Sequence, residues 1–395
     1  MHARAAVLFC LAAPPTALLA QTTHQVGPGG FAQIRDALAV AAPGDEIVVA
    51  PGVYAQFSAT VGVTIRASTP GAASVVYDLA FAPPGCLQNA LCATFQGPTL
   101  FQIPTGQTAV VSGLRFLPTT QATPVPGVFV RHRVVVAGIV TFEACDFAAD
   151  DVTPLNVGQG SHVSLIGCTL VGGGATLTAH GMSVTLATVT AVGSSFTGNA
   201  PVTSAPGSGI DMPSGAKLHG SELVVTGGAS SFGQSPALRA SASTVWLADS
   251  VLTGGGTACP IAASGGSLGL ARTVLAPTAG CPVLPNRSLL GVDQPTPPTN
   301  GTAYTLHFQT DPNLPVFVYA ANAIGSASLP GLFEQPICLG GVFFAGAGVA
   351  DGNGLLSLSW PMPAGAFVGT PLWLQGVSGA TLPLQLSPLT GGIVR

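Results

Sequence analysis

Apolar and polar positions recur along this chain in one eight-residue pattern, apolar-x-apolar-x-x-small-x-apolar. It fits segments starting at Val140 (continuing TFEACDF), Val163 (SLIGCTL), Val189 (TAVGSSF), Ala216 (KLHGSEL), Val245 (WLADSVL) and Leu268 (GLARTVL). A degenerate copy, VVSGLRF, follows Ala109, and successive starts lie 31, 23, 26, 27, 29 and 23 residues apart. Alternation with period two marks a strand buried on one face. Its return every ~20–30 residues, with turn-rich filler between copies, is the signature of a solenoid coil. The fillers VGGGAT, SAPGSG, TGGGT and ASGGS bend the chain rather than continue a helix. They are too variable for antiparallel hairpins, whose loops hold to about two to five residues. The pattern therefore predicts an all-β fold, a right-handed parallel β-helix with its main body over 31–275.

The sixth position of the pattern forms a column of its own: Leu114, Cys145, Cys168, Ser194, Ser221, Ser250 and Thr273. Like positions of a β-helix stack about 4.8 Å apart, and small residues there indicate a narrow interior corner. Cys145 and Cys168 become stacked neighbours, read as two buried thiols in preference to a bridge across coils.

Upstream, FAQIRDALAVAAPGDEIVVAPGVY spans 31–54. Ile34, Leu38 and Ala41 share one helical face, suited to plugging the open end of a solenoid, whose terminal coil is otherwise an unpaired edge. Gly44, Asp45, Ile47, Val49, Pro51, Gly52 and Tyr54 follow. This segment resembles the N-terminal entry of pectin-lyase-like β-helix proteins of the secreted bacterial type. The resemblance implies a capping helix before the first strand, and leaves activity open because the fold carries both enzymes and inert adhesins. Asp45 and Glu46 are read as part of the turn.

The pattern stops near Pro282. Pro295, Pro297 and Pro298 mark a linker, followed by alternating runs such as TAYTLHFQ, GLLSLSWP and PLWLQGV. These predict a small antiparallel β-sandwich over 299–395, with DGNG at 351–354 as a hairpin turn. It resembles C-terminal sandwiches of secreted repeat proteins, which implies attachment or sorting. The expected organisation is a signal peptide over 1–20, the β-helix with its capping helix over 21–292, a proline-rich linker over 293–298, and the sandwich.

The signal peptide is read from a basic start at His2 and Arg4, an apolar run over 5–13 and small residues up to Ala20. It predicts a secreted, extracellular or cell-surface protein. No later stretch approaches the ~20 apolar residues of a membrane span. Only 7% of residues are charged and Lys217 is the single lysine. The weakly acidic balance and lack of a basic patch argue against nucleic acid. With export, disulfides become possible. Cys86 with Cys92, and Cys259 with Cys281, are the favoured pairs; the odd number of cysteines after 1–20 leaves a thiol over.

Candidate chemistry is sparse. Asp150 and Asp151 are the only adjacent aspartates, Asp146 lies just before them, and His180 precedes Gly181. These four are the catalytic candidates, with solvated loop residues as the alternative. On the copy from Ala216, Lys217 and His219 point outward, Glu222 lies past the bend, and Trp246 is placed in the column of Lys217 one coil later. Together they are candidates for substrate binding, since an aromatic face beside polar groups suits a sugar ring. Arg131, His132 and Arg133 form the one cationic run, read as a loop that grips an acidic polysaccharide or is simply solvated. No motif calls for a cofactor, and the DGNG turn offers too few oxygen ligands for calcium. The expected function is an exported, non-catalytic β-helix scaffold at the cell surface or outside the cell, glycan-binding or adhesive. The alternative is a polysaccharide lyase or glycoside hydrolase acting on an acidic polysaccharide. The expected partner is a polysaccharide or cell-surface glycan, and oligomeric state is left open.

Overall fold

The structure, a computed structural model, describes residues 21–395 except 79–95, 119–130, 175–176, 272, 278, 282–290, 294–297, 311, 328–331, 333–336, 341, 353, 363–369, 381, 383, 388–389 and 395. Its first part is a parallel β-helix. Each full coil passes through a leading, a central and a trailing strand, for example Leu155–Val157, His162–Ile166 and Thr169–Gly173. Strands of successive coils pair in parallel and in register: His162 lies opposite Thr188, Thr188 opposite Lys217, and Lys217 opposite Thr244. The trailing strands form a nine-stranded sheet. Leading and central sheets merge at the last coils, where Leu238–Ala248 and Ile261–Ala271 each run through both.

The predicted alternation holds along every central strand: Val140, Phe142, Val163, Leu165, Val189, Ala191 and Leu218 are all buried in one continuous core. Aromatic side chains fill its middle rungs. Phe116 stacks on Phe147 at 4.9 Å between centroids, and Phe142 meets Phe147 edge-on at 5.1 Å. Burying each such ring contributes about 1.5–3 kcal/mol.

One copy of the pattern sits two residues from its expected place. Val189 pairs with Leu218, not Ala216, and Leu218 pairs with Val245. A slip of two keeps every side chain on its own face, so hydrophobic alternation could not reveal it. Backbone geometry fixes the register instead. From Gly113 onward, the residue directly after each central strand is left-handed wherever it is described, with φ of 69° at Gly113, 48° at Ala144, 59° at Gly167, 56° at Gly193, 55° at Glu222 and 49° at Asp249. Glu222 is therefore the bend itself rather than a residue beyond it. The corner column contains Leu223 in place of Ser221.

Hydroxyl groups in that column answer the backbone groups that the sharp turn leaves bare. Ser194 Oγ accepts the Cys168 N–H at 3.0 Å, and Ser250 Oγ accepts the Leu223 N–H at 3.1 Å. Cys145 and Cys168 are free and buried, as expected. Burial, reinforced by the neighbouring Cys168, pushes the Cys145 thiol well above its ordinary pKa. Cys259 and Cys281 form a disulfide, whereas Cys86 and Cys92 lie outside the described residues.

The first strand of the β-helix precedes its capping helix. Thr23–Val26 pairs in parallel with Glu46–Val49, ahead of the cap. The capping helix is Ile34–Leu38, burying Ile34, Ala37 and Leu38, while Ala41 packs only partly against the core. Asp45 locks this entry by accepting the N–H groups of Thr22 at 2.9 Å and Ala42 at 2.8 Å, with His24 Nε2 at 3.0 Å. Burial alone would raise its pKa, but these hydrogen bonds outweigh it and the carboxyl lies below its usual range.

The C-terminal part is antiparallel. Gly291–Asp293, already ahead of the proline run, pairs with Ala303–Gln309, which pairs with Leu355–Pro361. Pro315–Ala321 lies between Phe343–Val349 and Pro371–Ser378 in a second sheet. Tyr304, Leu306 and Phe308 of the first sheet pack on Val316, Val318 and Leu374 of the second, giving the sandwich core. The turn at 351–354 links strands of different sheets, so it is not a hairpin. Ile166 of the β-helix packs with Ala321, Leu339 and Trp373 of this part.

Candidate functional site

The acidic candidates are engaged separately. Asp146 points outward from the trailing strand Asp146–Asp150, and Arg115 Nε lies 3.5 Å from its Oδ2, both side chains about half exposed. Asp150 is exposed at the end of that strand. Asp151 is a left-handed turn residue (φ 55°) whose Oδ1 accepts the Leu177 N–H at 3.2 Å. Glycosidic hydrolysis uses two carboxyl groups facing one bond, about 5–10 Å apart; these contacts do not assemble such a pair.

His180 joins a different carboxylate. Its Nε2 lies 3.6 Å from Asp211 Oδ2, and Asp211 Oδ1 accepts Arg239 Nε at 2.6 Å. The Ser208 N–H donates to Nδ1 at 2.9 Å, so Nε2 carries the proton and faces Asp211. Burial lowers the His180 pKa; Asp211 pulls it back up, and Arg239 lowers it further. Nδ1 is thus engaged by the backbone, while Nε2 faces Asp211 at a distance longer than a hydrogen bond. Asp211 and Arg239 meet because their strands are adjacent rungs in register. No local motif signals a contact 28 residues long in sequence.

The outward side of the central sheet holds the binding candidates in a new arrangement. Trp246 pairs with His219, and Lys217 pairs with Thr244, so Trp246 does not share the column of Lys217. The column is Thr141, Ser164, Thr190, His219, Trp246 and Gly269. Thr190 and His219 are buried although they point away from the core, being only 1% and 5% exposed. The parallel column of His162, Thr188, Lys217 and Thr244 is half-buried. Burial therefore deepens from one column to the next. Burial first, and Lys217 second, depress the pKa of His219 to about 4 and also lower that of His162.

Trp246 lies along the sheet: a methyl group at Gly269 would overlap its Cε3 and Cζ3 atoms. The ring occupies the space the next rung leaves empty, and the half-buried residue keeps part of its surface open. Two buried donors in this column, Trp246 Nε1 and Thr190 Oγ1, have no hydrogen-bond partner among the described residues. Buried polar groups are nearly always satisfied, so this pair stands out.

The cationic run is a strand, Arg131–Ala137, rather than a loop. His132 points inward and is 1% exposed; its Nδ1–H donates to Leu117 O and its Nε2 accepts from Thr99 Oγ1, both at 2.9 Å. Burial lowers its pKa to about 4 despite the bond to Leu117. Burial also lowers the pKa of Arg133. Among the described residues there is no group of three or more His, Cys, Asp and Glu able to hold a metal, and no helix long and apolar enough to cross a membrane.

No family model matches the sequence, and no curated protein does. Among solved structures, the chain is similar to the enzymatically active domain of tailspike protein 4 of bacteriophage CBA120, at 12% identity and a TM-score of 0.24. The match covers 91% of this chain and 64% of the tailspike chain, so this chain spans under two thirds of that structure.

Proposed function

We propose that this protein is an extracellular, non-catalytic β-helix scaffold that holds a glycan against the outward side of its central sheet. The observation that carries the reading is the pair of buried, unpartnered donors, Trp246 Nε1 and Thr190 Oγ1, in one column with His219. The indole face seated on Gly269 supplies an apolar platform for ring C–H groups. Lys217, in the half-buried neighbouring column, adds a charged donor. The rungs hold these groups at fixed spacing, which lowers the ordering cost of binding. The signal-like segment over 1–20 supports placing this role outside the cell.

A glycan array with the purified chain, followed by titration calorimetry on the best ligand, tests the reading. Trp246→Ala should weaken binding by about tenfold or more, the loss of roughly 1.4 kcal/mol or greater expected for an aromatic anchor. Absence of any retained glycan, or full binding by the alanine variant, refutes it.

A further inference from the structure

The trailing sheet turns a second and different surface outward. Its outward pairs in two adjacent rungs are Val224 with Thr226 and Val251 with Thr253, extended on one side by Ser195 with Thr197. Val224 and Val251 are 52% and 40% exposed, and Val274 on the following rung is 58% exposed. From Thr169–Gly173 to Val274–Ala276 these strands contain no ionisable residue, whereas the earlier rungs carry the Arg115–Asp146 ion pair.

In-register parallel pairing puts like side chains about 4.8 Å apart between rungs and about 6.6 Å apart along each strand. β-branched side chains are stiff at χ1, so methyl and hydroxyl groups occupy a fixed two-dimensional lattice. The nature of the face narrows its occupant. Five rungs, two side chains wide, cover roughly 300 Å², against about 800 Å² on each partner of a stable protein interface. A second copy of the chain is therefore too weakly held. A sugar platform would present an aromatic ring, and these strands contain only the inward Phe196. A charged ligand finds no counter-charge.

We propose that this face binds ice. Ice is uncharged, rigid and periodic over a few ångströms in both directions of its surface. Threonine and serine hydroxyls can take positions of lattice oxygens while valine methyls fill the hollows between them. Because the ice extends beyond the protein, regular repetition replaces buried area as the source of adhesion. The interior corner bonds of Ser194 and Ser250 keep the rungs in step beneath the face.

The test is partition of the purified full chain into slowly grown ice, with recrystallisation followed by microscopy. Wild type should enrich in the ice fraction and arrest crystal coarsening. Thr226→Tyr and Val251→Tyr should each lose both effects with unchanged circular dichroism, because both side chains point outward. Trp246→Ala should retain both, which separates this face from the glycan site. Exclusion of wild type from ice, or full activity of the tyrosine variants, overturns the proposal. Retention on cellulose or chitin powder without ice enrichment, lost in Thr226→Tyr, would overturn it in favour of a crystalline polysaccharide.

Discussion

In the coil that runs through Lys217–Ser221 and Val224–Thr226, two outward residues meet opposite fates: His219 on the central strand is 5% exposed, and Val224 on the trailing strand is 52% exposed. The polar residue is covered and the apolar one is open. Strand alternation decides whether a side chain faces the core, but it does not decide what lies over the outer surface. The central face is closed over around His219 and Thr190, leaving donors in need of acceptors. The trailing face remains an open lattice of methyls and hydroxyls. One repeating backbone thus presents a covered polar column on one side and an open array on another.

The comparison depends first on an interior shared by both faces. Phe147, packed on Phe116 and Phe142, is its centre, and Phe147→Ala should cost about 3–5 kcal/mol in chemical denaturation. A loss below about 1 kcal/mol would mean that the two faces do not rest on a common core. Acid then separates the covered face from the open one. Folded His219, and the inward His132, have pKa values of about 4, against about 6.5 when unfolded. Between these values the unfolded chain binds more protons, so stability falls as pH drops from about 6.5 to about 4, by up to roughly 3 kcal/mol for each histidine. His219→Gln should remove about half of that slope in thermal melts, and an unaltered slope would contradict the burial of His219.

Smaller effects address the corner that separates the two faces. Ser250→Ala leaves the Leu223 N–H without its acceptor and should cost about 1–3 kcal/mol. Glu222→Gly relieves a left-handed backbone and should gain up to about 1 kcal/mol; destabilisation would show that the Glu222 side chain matters more than its φ. Least of all, Val251→Lys on the open face should change stability by no more than about 0.5 kcal/mol, and a larger loss would mean that the face is covered.

Much of the architecture was legible in the chain. The recurrence of the apolar pattern fixed the coil, because every interior position of a stacked rung must be apolar, as Val140, Val163 and Val189 are. The sandwich strands followed from the same alternation, and the cap around Ile34 from an apolar face at helical spacing together with the resemblance of 31–54 to β-helix entries. The two-residue slip at Ala216 was not legible, since a pleat of period two is blind to it; the glycine signal misled as well, because Gly220 stands fifth in the copy from Ala216 whereas the bend is at Glu222. The site was less legible still. Lys217, His219, Glu222 and Trp246 were singled out, but pairing Trp246 with Lys217 inherited that slip. Asp211 and Arg239 escaped notice because only stacking brings them together.

The sequence by itself determined which side chains face the core, the length of each coil to within two residues, and that an antiparallel part follows the solenoid. Those properties depend on local alternation and turn chemistry. Only the tertiary structure decided which outward column is buried, which histidine meets which carboxylate, and which face stays open. These depend on register between segments some 20–30 residues apart and on what packs over each sheet, as Ala321, Leu339 and Trp373 do against Ile166.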